Sequence, residues 1–240
     1  MNYNDYELNI SQRERELEAS TALPALMRKV YVWMSLALAI TGFTAYAVAD
    51  IPNLQEIVLM NKWVFWGLII AEFGLVIAIS AGINKLSLTT ATLLFVLYSV
   101  VNGATLSVIF IAYTLGSIAT VFFITAGTFA VMAFIGYTTK ADLSKMGKIL
   151  LMALIGMIIA TLVNVFFVKS GMFDLVLSYI GVLIFVGLTA YDSQKIKVML
   201  MQAGDMSERS QKIALLGALS LYLDFINLFI YLLRIFGRRN

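Results

Sequence analysis

From Val30 onward the chain alternates long apolar blocks with short polar breaks. The blocks lie at about 30–50, 62–81, 89–112, 117–138, 147–168, 172–194 and 212–236. Each is long enough to cross a bilayer as a helix with modest tilt, since about 20 apolar residues suffice. The pattern predicts an all-α integral membrane protein with seven transmembrane helices. Residues 1–29 are polar and of mixed charge, so we expect a cytoplasmic arm over 1–29 ahead of a membrane domain over 30–240. Within the arm, SQRERELEAS (Ser11 to Ser20) has helix-forming composition and is expected at the membrane surface. No small-residue cleavage site follows a short apolar run, so no signal peptide is expected. Pro24 and Pro52 both fall outside the blocks, and no spanning helix is expected to carry a proline kink.

The last block interrupts its own pattern. In GALSLYLDFINLFIYLLRIFG, Gly217 to Gly237, Asp224 stands near the centre. A carboxylate at that depth costs about 3 kcal/mol on insertion scales, and such residues usually mark ion or proton pathways. Gly217, Ser220, Asp224, Asn227, Tyr231 and Arg234 recur at steps of three and four and so share one helix face. The opposite face is Leu, Ile and Phe. The polar stripe must therefore face other helices or water. Asp192 closes the sixth block in GLTAYDSQKIK, where it is either a membrane-edge carboxylate beside Lys195 or part of a site. Glu72, in WVFWGLIIAEFGLVIAIS, is a third acid at depth. Asn102 shares a face with Ser99 and Thr105, and Asn164 with Thr161. Such groups most often join helix to helix. Gly103, Gly127, Gly156, Gly181 and Gly217 are expected to permit close helix contact, and Trp63 and Trp66 to anchor at a membrane edge.

Composition narrows the chemistry. Of 240 residues 61% are hydrophobic and 13% charged, against about half and a quarter in soluble domains. Zero Cys removes disulfides and thiolate chemistry. Zero His removes the commonest transition-metal ligand and the usual neutral-pH switch, leaving proton sensing to carboxylates. No nucleophile–base pair is credible, so no enzyme is expected. An intramembrane aspartyl protease would need short Gly- and Asp-centred motifs that the chain lacks. Nothing reads as a phosphate loop, an EF-hand or a nucleic-acid surface, and no cofactor is implied.

Orientation follows from basic residues. With the N-terminus in the cytoplasm, the inner side holds Arg13, Arg15, Arg28, Lys29, Lys85, Lys140, Lys145, Lys148, Lys195, Lys197, Arg209 and Lys212. The outer side holds Lys62, Lys169, Arg234, Arg238 and Arg239, or 5 against 12. The terminal arginines would suit a last segment that dips in and returns. The first-span signal dominates, so we expect seven crossings with the C-terminus outside.

GLTAYDSQKIK, then a short basic loop and LGALSLYLDFINLFIYLLRIFG, resembles the signature of the Bax inhibitor-1, or transmembrane Bax inhibitor motif, family. RKVYVWMSLALAITGFTAYA and FIGYTTKADLSKMGKILLMALIGMIIATLVN are similar to bacterial members, so the resemblance covers nearly everything from Arg28 on. It implies a central last helix clasped by two layers of three. It also implies a pH-sensitive calcium leak whose sensor is an aspartate pair, here Asp192 and Asp224, able to hold calcium transiently. Ser220, Asn227, Tyr231, Glu72 and Asn102 are the accompanying candidates for a pore or polar stripe. Some members pair an acid with a basic latch late in the second helix, where this chain has Lys85 nearby. Depth is the difficulty. Asp224 lies roughly 16 Å along its helix from Ile213, whereas Asp192 sits near the end of its block. They meet only if the sixth helix runs deeper or the seventh starts further inside. The resemblance also suggests an alternative: a regulator that binds another membrane protein, such as a membrane protease complex, through its arm. A bacterial inner membrane, with lipid and calcium as partners, is the expected setting.

Overall fold

The computed structural model describes the backbone from Tyr3 to Asn240 and the side chains from Thr21 on. Its long helices are α1 (Tyr3–Asp50), α2 (Lys62–Gly82), α3 (Leu88–Leu106), α4 (Leu115–Thr138), α5 (Ser144–Val163), α6 (Gly171–Ala203) and α7 (Glu208–Phe236). Among the described residues seven helices are long and apolar enough to cross a membrane, as the apolar blocks predict. Ser87, Thr114, Ser170 and Ser207 precede α3, α4, α6 and α7, and their hydroxyls accept from the first-turn backbone N–H groups. Gly204, at φ 72°, ends α6 in the left-handed region open to glycine.

Two features differ from the hydropathy reading. The sixth helix, α6, runs to Ala203, past the end of its apolar block near residue 194. Lys195 and Lys197 break the apolar block, but Ile196 and Leu200, one turn apart, are buried and carry the helix on. Pro24 lies inside α1 and its span, not outside as expected. Proline deletes one backbone donor, and spanning helices tolerate this where neighbouring groups re-satisfy the freed carbonyl. Pro52, by contrast, opens a short helix, where its missing N–H costs nothing. The expected surface position of residues 11–20 lies outside the side chains described.

The last helix is the hub. It packs against α6, α1, α4 and α3, whereas α2 leans on α3 and α5 on α6. In the most apolar window of each, 61% of α7 is buried, against 6% of α2 and 11% of α5. That burial is what lets α7 carry polar groups all along one face. Close approach depends on small residues: a side chain at Gly103 would meet the Thr41 carbonyl of α1 at 2.6 Å. Gly181 and Gly217 likewise lie under Tyr231 and Ile196. Gly127 and Gly156 do not meet the expectation of close contact, since a side chain there would find nothing within 4 Å.

Both ends of α7 are tied to loops. At its start Glu208 accepts from the Leu88 N–H at 3.1 Å and pairs with Lys212 at 3.0 Å, while Lys29 donates to Gln211 at 2.9 Å. At its end the Thr114 N–H donates to Arg238 and the Asn240 N–H to Ala112, both at 3.1 Å. Leu88 and Ala112 lie at opposite ends of the third span. The last helix therefore runs the full length of the third span.

Between α6 and α7, Asp205 accepts from the hydroxyls of Ser210 and Ser207 and from the Ser207 N–H. These bonds hold its carboxyl below the usual carboxylate range. A depressed native value means the contribution is complete above the ordinary carboxylate range and is lost as pH falls through the lowered one. Asp205→Asn should accordingly loosen this turn at neutral pH, read as faster limited proteolysis between Ala203 and Glu208. The wild type should reach that rate only in acid, below about pH 4.

Candidate functional site

α6 and α7 run antiparallel, and the polar stripe of α7 is laid along α6. Gly217 packs on Ile196. The Ser220 hydroxyl donates to Asp192. Tyr231 covers Gly181 and stacks on Phe185, with ring centroids 5.9 Å apart. Arg234 reaches Asp174 at 3.2 Å. Asp224 lies between these rungs, one turn beyond Ser220, and is only 5% exposed. Its Oδ2 is buried with no hydrogen-bond partner among the described residues. Asn227 returns its amide to the Leu223 carbonyl at 2.8 Å.

The length of α6 bears on the depth difficulty. Asp192 stands well before its end at Ala203, so it lies within the bundle rather than at its rim. Asp192 and the Lys195 ammonium are the charged groups close enough to act on Asp224. Lys195, which also lies 5.8 Å from the Tyr191 ring, is the basic group beside the pair. Among the described residues Lys85 makes no contact with either acid. Ser220 is the hydrogen-bond partner of Asp192, and side chains on a helix lean toward its N-terminus. Asp224 follows Ser220 by one turn, about 6 Å along the axis.

Glu72 and Asn102 belong to a separate cluster, on another side of α7. The Tyr222 hydroxyl donates to the Asn102 carbonyl oxygen at 2.9 Å and lies 2.6 Å from the Thr41 hydroxyl. Thr41 in turn donates to the Ser99 carbonyl at 3.0 Å. Glu72 of α2 faces Thr105 and Asn102, and its Oε1 is buried without a partner among the described residues. Tyr222 is edge-on to Tyr98 and Phe95, with centroids 5.7 and 5.9 Å away. One hydroxyl thus links α1, α3 and α7, and Glu72 extends the link to α2.

Sequence reasoning missed Tyr222 and Thr41. Tyr222 falls two residues from both Ser220 and Asp224, off the stripe, and an aromatic in a spanning helix reads as packing. The one usable signal is that a buried tyrosine hydroxyl needs a partner. Asn164 closes the α5–α6 turn, accepting from the Ser170 N–H at 3.0 Å and donating to its carbonyl at 3.2 Å. Its role is structural.

Comparison with known proteins agrees with the site's setting. The family model described as "Inhibitor of apoptosis-promoting Bax1" matches residues 23–240. The inner membrane protein YbhL of Escherichia coli (strain K12) is 50% identical over 225 residues, 93% of this chain and 96% of YbhL. An uncharacterized protein of Borreliella burgdorferi is 47% identical over 233 residues, covering 97% of this chain and 99% of that protein. One from Rickettsia prowazekii is 39% identical over 238 residues, covering 98% and 99%. With seven spanning helices, a buried acid-bearing last helix and a family match over nearly its whole length, the chain belongs to the Bax inhibitor-1 family of multi-pass membrane proteins.

Proposed function

We propose that the protein is a calcium-permeable leak gated by protonation of Asp192 and Asp224. The observation that carries this reading is the Ser220 hydroxyl. It is bonded to Asp192 and stands one turn before a buried Asp224 whose Oδ2 lacks a partner. Two acids so placed take up and release protons as a coupled unit rather than singly. Ser220 donates to Asp192, and the unpartnered Asp224 carboxyl stands one turn further along the same face. Loss of the shared proton leaves two negative charges between packed helices, and the repulsion favours a second arrangement of α6 against α7.

Calcium is a hard cation that takes six to eight oxygen ligands. Here the acids supply only some of them, with Asn227 and backbone carbonyls as further donors. Among the described residues no third His, Cys, Asp or Glu completes a metal-holding group. Such weak, partly hydrated contact suits passage, which requires release as much as binding. Lys195 fits the part of a basic group that competes with the cation for the pair. We place the protein in a bacterial inner membrane with its N-terminus in the cytoplasm, as YbhL's location and the basic-residue asymmetry suggest.

The test is calcium flux into proteoliposomes across a pH series. Wild-type flux should change several-fold between pH 5 and 8, whereas Asp192→Asn and Asp224→Asn should each give a flat profile. Identical profiles for all three proteins would remove the gate. No flux above empty liposomes from any of them would remove the leak itself.

A further inference from the structure

α1 and α4 both pack on α7 but scarcely on each other. The space between them is a cavity of about 870 Å³, floored by Phe225 of α7. A smaller one of about 90 Å³ continues it past Gly42 and Phe122. Small side chains make the room: Ser35, Ala39 and Gly42 on α1 face Ala126, Ala130 and Ala133 on α4. A side chain at Gly42 would meet nothing within 4 Å. At one end the apolar lining gives way to Arg28, Tyr31 and Tyr137. Arg28 is exposed, and among the described residues no acid is paired with it. Lys197 adds a second cation there, donating to the Tyr137 carbonyl at 2.8 Å and lying 5.0 Å from its ring centroid.

We propose that this seam binds an anionic glycerophospholipid, with one acyl chain along α1 and α4 and the phosphate at Arg28. Dimensions select the occupant. Pro24 and Gly42, the end residues on α1, are about 27 Å apart along the helix. Spread over that length, the volume corresponds to a mean section of about 30 Å², or a channel roughly 6 Å wide. A helix is about 10–12 Å across, too wide to sink into a groove of that section. A single methylene chain fits. Charge selects the headgroup: an unpaired guanidinium beside two tyrosines, at the end of the bundle richest in Lys and Arg, matches phosphate in a bidentate fork.

The experiment is thermal unfolding of the full chain in mild detergent with dioleoyl phosphatidylglycerol, dioleoyl phosphatidylcholine or glycerol phosphate added. The anionic lipid should raise Tm at least twice as far as the zwitterionic one, and glycerol phosphate should leave it unchanged. Arg28→Gln should make the two lipids equivalent. Gly42→Leu, which fills open space and should fold normally, should abolish both shifts. Three results would overturn the proposal: a headgroup preference that survives Arg28→Gln, an undiminished lipid shift in Gly42→Leu, or a full response to glycerol phosphate alone. A change in oligomeric mass on Gly42→Leu, with lipid response intact, would assign the seam to a second copy instead.

Discussion

Gly136→Val should yield almost no folded protein. Gly136 of α4 lies directly against the Ala190 backbone of α6, so that even a methyl group would overlap the Ala190 carbonyl. Backbone cannot swing aside as the end of a flexible side chain can, and the two helices would have to separate. The same contact is tied by the Ser193 hydroxyl, which donates to the Ala133 carbonyl at 2.8 Å, and Ser193 also lies 3.4 Å from the Tyr31 hydroxyl. Overpacking a tight core typically costs about 1–3 kcal/mol. Against unyielding backbone we expect the upper end or beyond, a large part of the few kcal/mol that hold a domain together. Size-exclusion chromatography in detergent, reading the monodisperse fraction, checks this. Gly127→Ala on the same helix is the control: with nothing within 4 Å it should behave as wild type.

The second large effect is expected at Tyr222. Tyr222→Phe keeps the ring that meets Phe95 and Tyr98 edge-on but removes the hydroxyl shared by Thr41 and Asn102. A buried polar group left without its partner costs about 1–3 kcal/mol. Interhelical hydrogen bonds measured in a bilayer protein average nearer 0.6 kcal/mol, because the separated helices find other partners. Thr41 keeps its bond to the Ser99 carbonyl, so one orphan, Asn102, decides the outcome. We expect about 1–2 kcal/mol of destabilisation, seen as a lower Tm. The pH profile of calcium flux should not change, because Tyr222 faces away from Asp192. A flattened profile would mean that the two polar clusters act as one.

Much of the architecture is legible before folding. A bilayer demands about 20 apolar residues per crossing, so seven blocks announce seven helices whatever their packing. Asp224 is conspicuous because a carboxylate among Leu, Ile and Phe is costly, and its period-matched neighbours mark the face it must turn inward. Hydropathy misjudged the end of the sixth span, because a helix continues through charged positions while one face stays buried. Ile196 and Leu200 do this for α6 past Lys195 and Lys197. Pro24 escaped for a related reason: proline is read as a boundary, although α1 runs through it.

Face and depth were the harder quantities. Glu72, Asn102 and the α7 stripe look alike as polar residues in apolar helices, yet they form two clusters on different sides of one helix. Which acid lies beside which follows from how far α6 slides along α7, and a linear pattern carries no such coordinate. The sequence by itself determined the number of crossings, the absence of histidine and thiol chemistry, and the identity of the acids at depth. Tertiary structure decided that Ser220 is bonded to Asp192, that the Tyr222 hydroxyl ties α7 to α1 and α3 inside the bundle, and that α1 and α4 stand apart. Solvent preference depends on each residue's own transfer energy and can be read locally, whereas register depends on contacts between segments far apart in the chain.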